Sequence, residues 1–413
     1  MNIAKKTLQK YTSVSLMLRI FIGLVIGAVL GLTVPQWSGI GLLGKIFVSA
    51  LKGIAPVLVA VLVVSSIAKA GRGLGRRFTS LIFIYLLSTF IAAVCAVVGS
   101  FLFPVTLPLG EAAEGVQVAE GAGSLSEVFS NLLTGMVGNP IGAIVNANYI
   151  AILFWSIILG IALKTTASKA TVQVVHDLSD VVSRVVKWVI QFAPFGILGL
   201  VFTTVSESGL SVFTTYGHLL LLLVGCMLAN TLVFNPLISF LMLRKNPYPL
   251  LFTCLKESGL QAFFTRSSAA NIPINMALCK KLGLDEKFYS VSIPLGANIN
   301  MDGAAVTITV FSLAVANTVG VDVSFASALF LGIIATIGAC GASGVAGGSL
   351  LLIPMACSFF GIGNDVAMQA VAIGFIIGVV QDSVETALNS SGDAFFTATA
   401  EHYDRRQSLK HGI

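Results

Sequence analysis

Hydrophobic residues occur along the chain in long stretches, each about as long as a helix that crosses a membrane. Such a helix takes about 20 apolar residues, because the hydrocarbon core of a bilayer is about 30 Å thick. Stretches of this kind occupy residues 15–34, 42–68, 78–104, 141–163, 184–205, 217–243, 288–316 and 365–400. The first is too long for the apolar core of a signal peptide, which has roughly 7–15 residues. The pattern predicts an all-α polytopic membrane protein with eight transmembrane helices.

Two further apolar regions are each interrupted by a small polar segment, and their arms are too short to cross the bilayer. The first covers about 248–283, with its turn at 264–271, and the second covers about 325–360, with its turn at 339–349. Non-helical backbone at membrane depth is tolerated only where it is buried in protein or lines a wet cavity. We therefore expect two re-entrant helical hairpins whose tips form part of a site, as paired interrupted segments do in transporters. The alternative is that the small residues at the tips only permit close packing.

Composition and charge agree with a membrane protein and predict its orientation. Of the 413 residues, 56% are hydrophobic and 10% are charged, whereas soluble domains have about 25% charged residues. A soluble enzyme and a nucleic-acid-binding protein are therefore excluded. Lys and Arg concentrate on one side of the predicted spans, and the loop 106–140 on the other side has neither. By the positive-inside rule, both termini are cytoplasmic.

Ionisable residues within the predicted spans and hairpins cluster in the last third of the chain. They are Arg266, Asp302, Asp382, Glu385 and Asp393. Such residues are costly in a membrane and by default indicate a functional site. In the last span, four polar residues share one helix face because they are four, three and four positions apart; these are Asp382, Thr386, Asn389 and Asp393. We expect this face to meet the hairpin tips, and the alternative is that it lines a water-filled pore.

A second polar segment, at 298–303, follows Pro294 in the span 288–316. Its Gly and the preceding Pro permit local unwinding, which would free backbone carbonyl oxygens. Hard cations prefer oxygen ligands, including carbonyl, Asn and Asp oxygens. The segment is similar to the start of a calcium EF-hand, but Asn298 occupies the first ligand position and Thr309 the position of the bidentate Glu. An EF-hand is therefore rejected, and a site for a small cation is predicted.

Signatures of enzymes and of ATP-driven pumps are weak or missing in the sequence. The segment 341–344, Gly-Ala-Ser-Gly, is of the kind found around an intramembrane serine nucleophile, which would need a histidine base in a later span. The four histidines lie in predicted loops, at a span edge or in the tail, and no G-x-x-x-x-G-K-[ST] phosphate loop occurs. We therefore expect no enzyme, and an ion gradient as the energy source for uphill transport.

Taken together, four polar motifs resemble the dicarboxylate/amino acid:cation symporters, which have the glutamate-transporter fold. The motifs are Thr-Arg-Ser-Ser at 265–268, Asn-Met-Asp-Gly at 300–303, the Gly-rich second tip at 339–349 and the polar face of 382–393. Within the family, the segments 263–271 and 383–391 are similar to the bacterial sodium-coupled serine/threonine symporters. The resemblance covers essentially the whole chain.

The resemblance implies a homotrimer in the plasma membrane of a bacterium, which is the inner membrane if the cell is Gram-negative. Each protomer would have a scaffold, mainly from the spans in 1–70 and 141–205. Residues mainly in 78–104 and 217–400 would form a transport domain that moves across the bilayer like an elevator. The partners would be a small amino acid, co-transported sodium ions and membrane lipid, with no nucleic acid.

The resemblance also implies roles for residues of a substrate site. Asp382 would bind the substrate ammonium group, and Asn389 would bind its α-carboxylate. Backbone groups at Ser267 and Ser268 would bind the same carboxylate, and Thr386 would line the pocket.

Three sodium positions are implied in the same way. The first would use carbonyl oxygens of Gly296, Asn300 and Asn389 with the carboxylate of Asp393. The second would use Tyr85, Ser88, Thr89, Asn300 and Asp302. The third would use the carbonyl of Asn298 with the second hairpin tip. For Ser88 and Thr89, hydrogen bonding to their own helix backbone is the alternative.

One position departs from the members of the family that carry acidic amino acids. Where those have an arginine that pairs with the substrate side chain, this chain has Glu385. An ionised Glu385 would repel a second carboxylate. The hypothesis is therefore a small neutral hydroxy amino acid, serine or threonine, whose hydroxyl lies near Glu385 or Thr386. Arg266 complicates this, because it could neutralise Glu385 or Asp382, or could itself bind an acidic side chain.

Other functions stay open at this point. One is a symporter of acidic amino acids or dicarboxylates coupled to sodium or to protons, since buried carboxylates can carry protons. A passive channel is a weaker alternative, because the polar residues converge on one place and do not form a continuous lining.

Overall fold

The computed structural model describes residues 14–69, 76–109, 137–342 and 347–411. Within these ranges the chain is helical and has no β-strand. The α-helices are α1 (Leu16–Thr33), α2 (Gly41–Lys69), α3 (Arg76–Leu102), α4 (Pro140–Val145), α5 (Tyr149–Thr166), α6 (Lys169–Gln191), α7 (Ala193–Ser208), α8 (Val212–Ala229), α9 (Asn235–Leu243), α10 (Tyr248–Cys254), α11 (Leu260–Thr265), α12 (Ser268–Lys281), α13 (Glu286–Ile299), α14 (Asp302–Thr318), α15 (Phe325–Ala339), α16 (Ile353–Ser358) and α17 (Asn364–His411). Two π-helices, Asn230–Phe234 and Leu255–Gly259, join α8 to α9 and α10 to α11. Short 3-10 helices occupy Ser38–Ile40, Gly209–Ser211 and Ser349–Leu352.

Over the described residues, five helical segments are long and apolar enough to cross a membrane, or up to six if the bent pair α6–α7 is one span. The predicted spans 15–34 and 141–163 contain shorter apolar helices, α1 and α5. The second of these starts late because Asn148 caps α5 by accepting a hydrogen bond from the N–H of Ala151. The chain is a multi-pass helical membrane protein, and the count of eight spans stays a prediction.

The predicted span 184–205 is wrong as a single straight helix. The chain bends by 51° between α6 and α7, where Phe192 ends one helix and Pro194 lies in the first turn of the next. Proline fits the first turn of a helix but cannot continue a preceding one. The helix α6 is amphipathic, with one buried face made by Ser179, Val182, Val186 and Ile190. This spacing is typical of a helix with one solvated face.

Each predicted hairpin is a pair of helical arms around a break. In the first, α11 ends at Thr265 and is followed by Arg266, whose backbone is left-handed (φ 51°). Ser267 caps α12 by accepting from the N–H of Ala270. In the second, α15 ends at Ala339 and helical structure resumes at Ser349. Residues 343–346 of the predicted second tip lie outside the described residues.

The predicted unwinding within the span 288–316 is confirmed. The helix α13 ends at Ile299, Asn300 and Met301 are non-helical, and α14 begins at Asp302. A new helix start leaves backbone N–H groups without partners in the helix. The break therefore supplies hydrogen-bond donors inside an otherwise apolar region.

The helices α14 and α17 lie at the centre of the molecule. Residues 302–316 of α14 are all buried, and α17 is buried through most of its length. Polar groups on buried membrane helices must find partners within the protein, because lipid offers none. The polar face of α17 is therefore expected to meet polar groups of its neighbours.

The N-terminal helices form a layer that packs against this centre, and their buried residues share one hydrophobic core with those of α14 and α17. Backbone of Pro194 and Leu198 in α7 lies against Gly23 and Gly27 of α1, where a Cβ would clash. Small residues commonly permit such close approach between membrane helices. An ion pair between Lys52 of α2 and Asp365 of α17 connects this layer to the last helix. The division into scaffold and moving transport domain stays a prediction.

Candidate functional site

The polar face of α17 carries most of the predicted substrate-binding residues. Asp382, Glu385, Thr386, Asn389 and Asp393 are all buried. Side chains of this face contact the tip of the first hairpin, the second arm of the second hairpin and the break before α14. The fold therefore brings together polar groups from elements that are far apart in the sequence.

Asp382 is held by both hairpins. Its Oδ2 lies 2.6 Å from Nε of Arg266, and its Oδ1 accepts a hydrogen bond from the N–H of Gly347 at 3.1 Å. The two charged side chains are 9% and 3% exposed, so the ion pair is shielded from water. Of the two carboxylates that Arg266 could neutralise, it pairs with Asp382. Removing either charge would leave the other buried without a counter-ion, which destabilises the folded protein.

Glu385 is surrounded by donors that approach one of its oxygens. Its Oε2 accepts from Oγ1 of Thr307 at 2.7 Å, Oγ of Ser349 at 2.8 Å and Nε2 of Gln381 at 2.6 Å. Gln381 also donates to Oγ1 of Thr307 at 2.7 Å. The helix α14 comes this close because residue 303 is Gly303, where a Cβ would lie 2.9 Å from the Cα of Glu385. Three elements therefore orient this carboxylate.

Asn389 connects α17 to the break before α14. Its Oδ1 accepts a hydrogen bond from the N–H of Gly303 at 2.7 Å, which satisfies one of the free donors at the start of α14. Its backbone carbonyl accepts from Nδ2 of Asn300 at 3.2 Å. Its Nδ2 lies 3.5 Å from the sulfur of Met301, a weak acceptor. The side chain and the carbonyl of Asn389 thus serve different neighbours.

Asp393 has one satisfied and one unsatisfied oxygen. Its Oδ1 accepts from Nδ2 of Asn300 at 3.0 Å, whereas no described group donates to the buried Oδ2. A Cβ on Gly296 would lie 2.8 Å from Oδ1 of Asp393 and 2.8 Å from the hydroxyl of Tyr85, so a glycine is needed here. That hydroxyl also lies 3.2 Å from the carbonyl of Asp393. Tyr85 therefore lies beside the first predicted sodium position.

Asp302 has hydrogen-bond donors on both carboxylate oxygens. Ser88 and Thr89 of α3 donate to Oδ1 at 2.6 and 3.1 Å. Asn230 and Asn235, at the two ends of the first π-helix, donate to Oδ2 at 2.9 and 2.8 Å. The hydroxyls of Ser88 and Thr89 therefore bond to Asp302, and bonding to their own helix backbone does not account for them.

The remaining predicted residues lie at the edges of this region. Asn298 is exposed, and its side chain donates to the carbonyl of Pro294 in its own helix at 2.8 Å. A sodium position at the Asn298 carbonyl stays a prediction, because the tip residues 343–346 lie outside the described part of the chain. Ser267 caps α12 and Ser268 is its first residue, directly after Arg266.

Several functional neighbours were missed by sequence reasoning. They are Thr307 and Gln381 around Glu385, and Asn230 and Asn235 on Asp302. Ser349, the third donor to Glu385, lies at the end of the predicted second tip. The contact between Gln381 and Glu385 could have been predicted from the sequence, because Gln381 lies four residues before Glu385 and so on the same helix face. Asn230 and Asn235 were visible only as polar residues within an apolar stretch.

The first hairpin is also anchored to α17 below the tip. Asn271 and Asn275 of α12 both donate to Oγ of Ser390, at 2.8 and 3.1 Å. Asn271 donates in addition to Oγ of Ser258 in the other arm at 2.9 Å. These buried hydrogen bonds hold both arms of the hairpin against the helix that carries the polar face.

Comparison with known proteins agrees with this architecture. A family model described as the sodium:dicarboxylate symporter family matches residues 16–403. A protein of Bifidobacterium adolescentis named serine/threonine transporter SstT is 59% identical over 393 residues, which are 95% of this chain and 91% of that protein. Proteins of the same name from Streptococcus thermophilus and Streptococcus agalactiae are each 54% identical over 397 residues, 96% of this chain and 98% of theirs.

These matches extend over nearly the whole chain and include both hairpins, the break before α14 and the polar face of α17. The chain belongs to the sodium:dicarboxylate symporter family.

Proposed function

We propose that this protein is a sodium-coupled symporter that imports small neutral hydroxy amino acids, serine and threonine. Relatives at 53–59% identity are named serine/threonine transporters, and the family is named for sodium symport. The observation that carries the substrate assignment is Glu385, a buried carboxylate one helical turn from Asp382. A second carboxylate on the substrate would meet like charge there, whereas a hydroxyl can donate to it.

The environment of Arg266 supports the same substrate class. Its guanidinium is paired with Asp382 in a site with little exposure. An acidic substrate that displaced Asp382 from Arg266 would leave Asp382 buried without its cation, which is costly. This argues against acidic amino acids and dicarboxylates as the main substrates.

The proposed substrate position uses polar groups of the site that can form further hydrogen bonds. A carboxylate has about four lone-pair directions, and two donors are described for Asp382, so an ammonium group can bind there beside Arg266. The α-carboxylate would bind the N-terminal turn of α12 at Ser267 and Ser268, because the N-terminus of a helix favours an anion. Asn389 would add its Nδ2, for which the described residues offer a thioether sulfur as partner.

Sodium would bind as a second, co-transported substrate. The buried Oδ2 of Asp393, which has no described donor, supports a cation at this carboxylate. The other ligands would be the carbonyl oxygens of Gly296, Asn300 and Asn389. Oxygen ligands of this kind suit a hard cation.

A cation at Asp302 would require more rearrangement. Both oxygens of Asp302 already accept hydrogen bonds from hydroxyl and amide groups. The hydroxyls of Ser88 and Thr89 can turn their lone pairs toward a cation, because a hydroxyl is both donor and acceptor. We therefore assign the first ion to Asp393 and a further one to Asp302.

Coupling between ion and substrate follows from a shared residue. Asn389 would offer its side-chain amide to the substrate and its backbone carbonyl to sodium. Binding of one ligand would order this turn of α17, so that binding of the second ligand would cost less conformational entropy. The coupling is reciprocal, because each ligand changes the affinity for the other by the same factor. We further propose that the protein works as a homotrimer in the bacterial plasma membrane, by elevator movement of the transport domain and with both termini in the cytoplasm.

The test is uptake of radiolabelled serine into proteoliposomes that contain the purified protein and carry an inward sodium gradient. The expected result is serine accumulation above the outside concentration, abolished when choline replaces sodium, inhibited by threonine and not by aspartate. Strong inhibition by aspartate without inhibition by threonine would refute the substrate class. Accumulation driven by a pH gradient in sodium-free buffer would refute the coupling ion, and flux that never exceeds equilibrium would indicate a channel.

A further inference from the structure

The two carboxylate oxygens of Glu385 have different surroundings. Oε2 accepts from Thr307, Ser349 and Gln381 at 2.6–2.8 Å. No described residue donates to Oε1. An ionised carboxylate offers about two lone-pair directions on each oxygen. Oε2 is therefore saturated, and Oε1 keeps its full capacity to accept.

We propose that Thr307, Ser349 and Gln381 are positioning residues that present Oε1 of Glu385 to the substrate hydroxyl and so determine the preference for hydroxy amino acids. This inference rests on the proposed function and adds to it the residues that select the side chain. None of the three needs to touch the substrate, because each acts through the orientation of Glu385.

The orientation of a free glutamate carboxylate is poorly defined. Its terminal torsion is broad and roughly two-fold, so the two oxygens exchange easily. Here the donors come from α14, from the second arm of the second hairpin and from α17 itself. A rotation of the carboxylate would break bonds to all three elements at once, and these bonds involve a charged acceptor, which makes them strong.

Gln381 also determines the direction in which the hydroxyl proton of Thr307 points. Its Nε2 donates to Oγ1 of Thr307 at 2.7 Å and to Oε2 of Glu385 at 2.6 Å. Because Oγ1 of Thr307 accepts this bond, its single hydroxyl proton is free to point at Oε2. The amide therefore keeps Thr307 as a donor to Glu385.

Selection then follows from what each substrate offers to Oε1. The hydroxyl of serine or threonine donates to it. Alanine has no donor and leaves a buried acceptor unpaired in the occupied pocket, which a site built to bind a hydroxyl penalises strongly. Aspartate brings a like charge.

The experiment measures how strongly serine and alanine each inhibit sodium-driven uptake of labelled threonine, and takes the ratio of the two half-inhibitory concentrations. Thr307→Val and Ser349→Ala each remove one donor from Oε2. Each is expected to reduce the preference for serine over alanine by about tenfold, the effect of one hydrogen bond to a charged group. Inhibition by alanine itself should change by less than about twofold.

Conservative and control variants separate positioning from a general structural effect. Thr307→Ser keeps the hydroxyl and should restore the serine preference. Thr309→Val alters a buried threonine of the same helix whose hydroxyl has no described partner, and should leave the ratio unchanged. If Thr307→Val and Ser349→Ala both leave the ratio at the wild-type value, the positioning role is refuted. Absence of saturable sodium-dependent uptake by the wild-type protein would instead refute the proposed function.

Discussion

Replacing Asp393 by Asn should weaken sodium binding without disturbing the fold. The amide oxygen of the new side chain must face Nδ2 of Asn300, which now donates to Oδ1 at 3.0 Å, since two amide donors cannot face each other. The NH₂ group then occupies the place of Oδ2, the buried oxygen with no described donor. The variant would present a donor to the cation where the native protein presents a carboxylate oxygen.

The size of the effect follows from the loss of one interaction with a charged group. Such a loss costs about 1.5–3 kcal/mol, which corresponds to about a 10- to 150-fold rise in the sodium concentration for half-maximal uptake. The assay is serine uptake into proteoliposomes across a range of sodium concentrations. Asp322→Asn, in the exposed loop after α14, is the matched control and should behave like the wild type. An Asp393→Asn protein with an unchanged sodium dependence would refute the assignment of the cation to this carboxylate.

Three further substitutions probe the same region. Glu385→Gln must turn its amide oxygen to the three donors and its NH₂ group to the pocket, so aspartate should inhibit serine uptake at least about tenfold more strongly; unchanged inhibition would contradict the like-charge argument. Gly296→Ala brings a Cβ within 2.8 Å of Oδ1 of Asp393 and should abolish sodium-dependent uptake while the protein still elutes as a folded species in size-exclusion chromatography. Arg266→Met leaves Asp382 buried without its cation and should destabilise the protein by about 3–5 kcal/mol; a thermal unfolding scan in detergent with no drop in Tm would disprove this.

The local signals in the sequence were sufficient for the hairpins and the break before α14. Polar or Gly-rich segments that interrupt apolar runs predict where helices stop, and helices do end at Thr265, Ala339 and Ile299. The side chains on one face of α17 were likewise predictable from the helical period. The prediction of one helix over 184–205 was wrong because the hydropathy of a segment carries no information about a bend such as the one at Pro194.

The two asparagine partners of Asp302 could not be predicted because the helix that carries them departs from the α-helical period. Asn230 and Asn235 are five residues apart, which on an α-helix places them about 140° apart. Here they bracket a π-helix, in which the N–H of Asn235 bonds to the carbonyl of Asn230 and each turn holds more residues. Both side chains therefore reach the same carboxylate oxygen. Thr307 was missed for a different reason, since it meets Glu385 only through tertiary packing.

The ion pair between Lys52 and Asp365 bears on how the carrier divides its time between conformations. Lys52 belongs to the predicted scaffold and Asp365 to the predicted transport domain, so the proposed elevator movement would separate them. The side chains are 41% and 73% exposed. An ion pair that is this exposed to solvent contributes at most about 1 kcal/mol to the stability of the conformation that contains it. This changes the ratio of two populations by about fivefold, and salt reduces it further. The pair would therefore tilt the equilibrium of the proposed elevator movement toward one arrangement without locking it, which would leave the unloaded carrier free to return.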